Sequence, residues 1–184
     1  MSDYRRYFVP GATYFLTVVV YKRRPILVHP DGNPVLRNAI RVVQEERPFR
    51  IIAMVLLPDH WHTVISLPRG DADYSQRVRS IKQRFSHQYL SAGGTECEVT
   101  ASQRRRHERG VWQPRFWEHT VRDEDDLERC VDYIHWNPRK HELVHRVRDW
   151  PWSTFHHFVT AGQYDLDWGG TLPESLEGVD NWGE

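Results

Sequence analysis

Cysteine is nearly missing from this chain: Cys97 and Cys130 are the only two in 184 residues. Two thiols cannot build a disulfide framework, and their spacing is not that of a zinc finger, so a reducing compartment is expected. Long apolar runs are missing too. The longest, around Phe15 to Tyr21 and Ile51 to Leu57, fall far short of the roughly 20 residues that a membrane-spanning helix needs. The start, Met1-Ser2-Asp3-Tyr4-Arg5-Arg6, leads into no apolar stretch of the secretory kind. These absences point to the cytoplasm and to no membrane partner. Net charge is the last absence, because 25 Lys and Arg cancel 25 Asp and Glu. The cancellation hides a polarity along the chain: residues 1–122 carry 20 basic against 11 acidic side chains, and residues 123–184 carry 5 against 14. A basic first two-thirds suits a polyanion such as nucleic acid, which would place the protein on the nucleoid, and the acidic last third could cover that surface.

What is present begins with His60-Trp61-His62, inside the run LPDHWHTVISL. In a strand, successive side chains flip sides, so the two imidazoles share one face and can meet one metal ion. Trp61, Ile65 and Leu67 fall on the other face and can anchor a core. The pair alone is also compatible with two ordinary hydrogen-bonded strand histidines. A second stretch, Cys130-Val131-Asp132-Tyr133-Ile134-His135-Trp136-Asn137-Pro138, places Tyr133 and Asn137 four residues apart on one helical face. On spacing alone, Tyr133 reads as one of eight tyrosines, half-buried on a helix with its hydroxyl wet, and Asn137 as a plain helix cap. The chemical alternative is that Asn137 lends a carbonyl oxygen to a metal and Tyr133 attacks a phosphate held there.

At 22.0 kDa the chain suits one domain plus a tail. A buried strand is expected over Thr13 to Tyr21, leaving through the basic exit Lys22-Arg23-Arg24. A helix follows over Pro34 to Arg47, capped by Asn33. Strands over Arg50 to Leu57 and His60 to Leu67 form a hairpin. The helix Tyr74 to Leu90 buries Val78, Ile81 and Phe85 and exposes Arg79 and Lys82. Residues 91–110 read as an irregular loop carrying Arg104, Arg105 and Arg106, and the segment Val111 to His119, with Arg115, as a last strand. A helix begins at the acidic run Asp123 to Asp126 and is expected to end at Pro138, with a second helix from there to about Val147. The tail from Asp149 is Trp-rich and acidic, expected to dock near Trp150 to Phe158 and then fray. The order β-α-β-β-α-β with an appended helix is the ferredoxin-like α+β arrangement, an antiparallel sheet with helices on one side. Residues 1–148 would form the domain and 149–184 the tail.

Taken together, LPDHWHTVISL, VRSIKQRFSHQYL, VWQPRFWEH and DYIHWNPRKHELV resemble the single-tyrosine HUH transposases, most closely the REP-associated tyrosine transposases of bacterial chromosomes. The YRR…PGATYFLTVVVYKRRPIL and WPWSTF segments fit the same subgroup, so the resemblance covers about residues 4 to 158. It implies an HUH-fold, metal-dependent single-strand DNA endonuclease and strand transferase acting at the foot of a DNA hairpin. By carry-over, His60, His62 and Asn137 would hold Mg2+ or Mn2+, and Tyr133 would attack to leave a 5′-phosphotyrosine and a free 3′-OH. Arg5, Arg6, Lys22, Arg23 and Arg24 are the first candidates for hairpin contact, with Arg79, Lys82, Arg104, Arg105, Arg106 and Arg115 adding to the basic surface. A monomer is implied by analogy with the subgroup, although related enzymes dimerise by exchanging tyrosine helices. One departure stands out: Glu142 occupies a position where relatives commonly place Gly, which bears on the backbone just after the tyrosine helix. Two other readings compete: a metal-free hairpin-binding module on the same sheet, and a zinc hydrolase that would tolerate Tyr133→Phe.

Overall fold

A computed structural model of the protein describes residues 7–106, 108–179, 182 and 183. The Arg5-Arg6 pair lies outside the described residues. Four strands, β1 (Thr13–Val19), β2 (Arg50–Leu56), β3 (His60–Ser66) and β4 (Trp117–Thr120), form one antiparallel sheet in the order β2-β3-β1-β4. This is the ferredoxin-like order. The β-rich run TYFLTVV becomes a central strand because both of its faces have apolar partners. Tyr14, Leu16 and Val18 join Trp61 and Ile65 in one core, closed by α1 (Asn33–Glu46) and α2 (Tyr74–Ser91). Phe15 joins Val55, Val64, Cys130, Tyr133 and Ile134 in a second core on the opposite face, closed by α4 (Glu124–Lys140). The nucleophile candidate thus comes from the appended helix, on the face that α1 and α2 leave open.

Several boundaries differ from expectation, each for a local reason. Asn33 is not the cap of α1. Gly32 is, because a Cβ there would lie 1.8 Å from the Ile26 carbonyl oxygen, and Asn33 enters the first turn as a buried residue. Strand β1 stops at Val19, since Lys22 and Arg23 adopt left-handed φ of 55° and 49° in a short turn. The loop 91–110 contains a helix, α3 (Ala101–Arg105), started by a reciprocal cap between Thr100 and Gln103. The last strand is confined to Trp117–Thr120; upstream of Pro114 only a bridge from Trp112 to Val20 remains.

Pro138 does not end α4, and no second helix starts there. The helix runs through it to Lys140, because a proline in the last turn removes only one backbone bond. Termination falls to Glu142, at φ 56°. Its N–H donates to the Arg139 carbonyl and that of Leu143 to the Pro138 carbonyl, both at 2.9 Å, the paired closure that normally uses glycine. A non-glycine residue in this conformation costs roughly 1–2 kcal/mol. Glu142→Gly is therefore expected to stabilise the protein by about 1 kcal/mol and raise Tm by about 3 °C. A lowered Tm in a thermal melt would contradict this reading of the helix end.

The tail does not fray after Phe158. Residues 152–154 run along the edge of β2, with Leu56 N–H donating to Trp152 and Thr154 N–H to Met54. A short helix, α5 (Phe155–Thr160), follows, and Tyr164, Leu176, Val179 and Trp182 all reach the second core. Polar anchors hold this course: Tyr164 and Ser175 both donate hydroxyls to the buried Asp132 carboxylate, and Arg148 pairs with Asp167 at 2.6 Å. Apolar side chains spaced irregularly along a Trp-rich segment offer no periodicity to read, yet Tyr164, Leu176, Val179 and Trp182 find the core while Leu166 and Leu172 stay exposed.

Candidate active site

Strand pairing sets Thr17 beside His62 and Val19 beside His60, on the sheet face covered by α4. Both imidazoles are buried, and their rings stand 4.8 Å apart at 86°. Hydrogen bonding assigns the tautomer of each. His60 Nδ1 lies 2.6 Å from Asp59 Oδ1, an acceptor, so Nδ1 carries the proton and Nε2 the lone pair. That Nε2 is buried with no hydrogen-bond partner among the described residues. Thr17 Oγ1 donates its one proton to the Trp182 carbonyl at 2.7 Å, so at 2.8 Å from His62 Nδ1 it can only accept. His62 is therefore also protonated on Nδ1, with its lone pair on Nε2. Two neutral imidazoles, each with Nδ1 held by an oxygen, form the arrangement that prepares Nε2 for a metal. Asp59 is itself shaped by its surroundings. Burial pushes its pKa up, but the hydrogen bond from His60 and then the guanidinium of Arg23, at 3.1 Å, outweigh this and hold it below the ordinary carboxylate range.

Helix α4 presents Tyr133, Asn137, Lys140 and His141 at spacings of four, three and one, a single stripe facing these histidines. The Tyr133 ring sits 5.4 Å from His62 and 5.8 Å from Phe15, edge-on to both. Asn137 is fully buried. The His141 ring lies 5.2 Å from that of His60, and Lys140 Nζ donates to the Tyr133 hydroxyl at 2.8 Å. Neither Lys140 nor His141 was singled out from sequence, although the same helical spacing that linked Tyr133 to Asn137 extends to both. The donor set suits a divalent cation: two imidazole nitrogens, one of them an orphaned buried atom, with an amide oxygen on the neighbouring helix.

His135, in the same motif, belongs elsewhere. Thr154 Oγ1 donates to the Met54 carbonyl, so it accepts from His135 Nε2 at 2.9 Å, and Nδ1 is left bare, buried and unpartnered. Burial, with a smaller contribution from the charge of His156, pushes its pKa down to about 3. Unfolded, the same group titrates near 6.5, so below that pH the unfolded chain takes up a proton that the folded one excludes. This contribution to stability is complete above about pH 6.5 and is lost as pH falls toward 3. Folding is expected to be about 2 kcal/mol weaker at pH 5 than at pH 8 on this account, and His135→Asn should flatten that dependence. Equal pH slopes for the two proteins in denaturant melts would contradict it.

A second cluster, His119, Asp126 and Cys130, brings its donor atoms within 4.8 Å of one another. It is a poor metal centre. Asp126 accepts from the Arg122 backbone and guanidinium and from His119, so its carboxylate is already occupied. Burial holds the Cys130 thiol protonated far above its usual range.

The basic residues divide. Lys22, Arg23 and Arg115 are exposed at the end of the sheet where Val19 meets His60 and Thr17 meets Trp117, beside the site. Arg79 and Lys82 lie on α2, across the sheet. Lys82 is bound to the Gln113 and Pro114 carbonyls and Arg24 to those of Thr95 and Gly110, so both tie down loops. Arg104 and Arg105 are exposed on α3, and Arg106 pairs with Glu108.

The tail lies over the site. Trp182 stacks on Tyr133 at 5.1 Å, meets Phe15 at 5.0 Å, and aims its backbone N–H at the Tyr133 hydroxyl at 3.4 Å. Tyr133 is left only 3 % exposed.

A tyrosine, two metal-ready histidines and a buried amide on a ferredoxin-like sheet can be compared with known proteins as a set. Residues 9–137 match the family described as Transposase IS200 like. The chain belongs to the IS200-like transposases. It is 43% identical over 178 residues to the REP-associated tyrosine transposase of Escherichia coli, covering 97% of each chain. A Haemophilus influenzae relative is 40% identical over 179 residues, covering 97% of this chain and 99% of its own. The solved structure of a REP-associated tyrosine transposase bound to a REP hairpin superposes with a TM-score of 0.81 at 41% identity, covering 100% of this chain and 98% of the other. The fold is accordingly the α+β HUH fold of tyrosine transposases, and this transposase belongs to a metal-dependent family. Among the described residues no helix is long and apolar enough to cross a membrane.

Proposed function

We propose that this transposase cuts and rejoins single-stranded DNA at hairpin-forming repeated palindromes, with Tyr133 as nucleophile and His60, His62 and Asn137 as ligands of Mg2+ or Mn2+. The observation that carries the reading is the approach of the Tyr133 ring to within 5.4 Å of a histidine whose Nδ1 is engaged and whose Nε2 bears the lone pair. When bound there, the cation would polarise the scissile phosphate and offset charge in the transition state. Tyr133 Oη attacks phosphorus, the bond to O3′ breaks, and the downstream strand stays on the enzyme as a 5′-phosphotyrosine. Attack by a 3′-OH reverses the step and joins strands.

The hairpin-bound relative, alike over its whole length, supports hairpin DNA as the partner here. Lys22, Arg23 and Arg115 stand nearest the site for phosphate contact, with Arg5 and Arg6 as a further arm and Arg79, Arg104, Arg105 and Arg106 as outlying charge. Lys82 and Arg24 would act by holding the loops that carry these contacts. Residues 1–148 would form the catalytic domain and 149–184 a tail over it. Tyr133 meets His62 of its own chain, which favours a monomer working in cis, with gel filtration near 22.0 kDa. The nucleoid is the corresponding location.

The test is incubation with single-stranded DNA from the repeated palindromes of its own genome, with Mn2+ or with EDTA, and a denaturing protein gel. A metal-dependent protein–DNA adduct that vanishes in Tyr133→Phe is expected. Binding without adduct or cleavage would overturn the enzymatic reading in favour of a hairpin-binding module.

A further inference from the structure

We propose that Lys140 is a catalytic residue, whose ammonium group stabilises negative charge on Tyr133 Oη both when that oxygen attacks phosphorus and when it leaves. The inference rests on Tyr133 being the nucleophile. Lys140 Nζ donates to Tyr133 Oη at 2.8 Å and also lies 4.7 Å from the ring centroid. The two residues are seven apart, two helical turns on one face, and helix side chains lean toward the N-terminus, so Lys140 reaches back over the tyrosine. The closure at Glu142 keeps Lys140 inside the last turn of α4. Other cations of this helix serve elsewhere: Arg139 donates to the Gly169 carbonyl, and Arg129 faces Asp126. Another polar contact to the hydroxyl, from the Trp182 backbone N–H at 3.4 Å, belongs to the tail and must leave when DNA enters. Lys140 sits on the same helix as the nucleophile and stays.

In cleavage, the Oη–P bond forms, the phenolic proton passes to water, and the P–O3′ electron pair goes to O3′, which takes a proton from water. In joining, the 3′-OH gives its proton to water as O3′–P forms, and the Oη–P pair returns to Oη as a phenolate before water reprotonates it. The oxygen carries charge in both directions, and a fixed ammonium donor at 2.8 Å is aimed at it. Removing one such donor from a developing oxyanion slows reaction roughly a hundredfold. A packing role alone, with the lysine stem covering the ring, predicts no such loss when the stem is kept.

Single-turnover rates separate the two. Adduct formation and joining from isolated adduct would be timed with full-length protein at saturating Mn2+, on a synthetic hairpin carrying single-stranded flanks. DNA affinity and Tm would be measured beside them. Lys140→Met, which keeps the stem, is expected to be roughly a hundredfold slower in both directions with affinity and Tm unchanged, and Lys140→Arg to recover most of the rate. A ring-fluorinated tyrosine at position 133, which draws phenolate charge into the ring, should restore part of the loss in Lys140→Met. Wild-type rates in Lys140→Met, or a slow enzyme that neither arginine nor fluorination helps, would overturn the proposal. Adduct persisting in Tyr133→Phe would instead overturn the assignment of the nucleophile.

Discussion

With His62 changed to alanine, adduct formation on hairpin DNA is expected to fall by roughly a thousandfold or more, while hairpin binding survives. The side chain is wholly buried on β3, a strand paired on both edges with β1 and β2, so its removal leaves the sheet in place and takes away one of the two imidazoles proposed as metal ligands. The loss should track the metal: Mn2+ binding, followed by electron paramagnetic resonance without any DNA, should weaken in parallel. The oxygens behind the ligands give a graded control. Thr17→Val removes the acceptor that holds His62 Nδ1–H, and Asp59→Ala the one that holds His60. Each is expected to cost about 10- to 100-fold in metal affinity, less than loss of the ligand. Mn2+ binding and cleavage at wild-type levels in His62→Ala would remove the metal from this site.

Shortening the tail should act in the opposite direction. With Tyr133 only 3 % exposed beneath Trp182, no phosphate reaches Oη until this segment lifts. Burying a tryptophan against Phe15 and Tyr133 is worth about 2–3 kcal/mol. Each 1.4 kcal/mol is about tenfold in the population of the open form, so Trp182→Ala is expected to raise the initial rate of adduct formation by roughly 30-fold. Ending the chain after Pro173 should do at least as much, since it also frees Asp132 from Ser175. Tm would drop in both variants. Unchanged rates on single-stranded hairpin DNA, with the variants folded, would mean that the tail does not limit access.

The two predictions rest on features that were unequally visible in sequence. The His60-x-His62 pair and the Tyr133-to-Asn137 spacing were legible because strand and helix periods are short and rigid, and the family resemblance converted both into roles. The second layer was not. That Thr17 faces His62 depends on strand register, and that Asp59 holds His60 depends on a turn rotamer. Lys140 and His141 followed helical spacing through Pro138, but the expected break there hid them. Glu142 departs from the family pattern in sequence, and its left-handed backbone is where the family glycine would cost nothing. The tail was the largest gap. Its tryptophans lack periodicity, and the segment that reaches furthest back, at Trp182, lies 49 residues after Tyr133. Of the basic positions, charge alone could not distinguish exposed Lys22 and Arg115 from Arg24 and Lys82, whose donors are spent on backbone carbonyls.

The most direct measurement of the central claim is mass-spectrometric mapping of the adduct. Hairpin DNA labelled at either end would be reacted with the tail-shortened protein and Mn2+, digested with protease and nuclease, and the nucleotide-bearing peptide sequenced. The account predicts one modified residue, Tyr133, joined through phosphate to the 5′ end of the downstream fragment, with a free 3′-OH on the upstream one. A nucleotide on any other residue, or a 3′-linked phosphate, would contradict it.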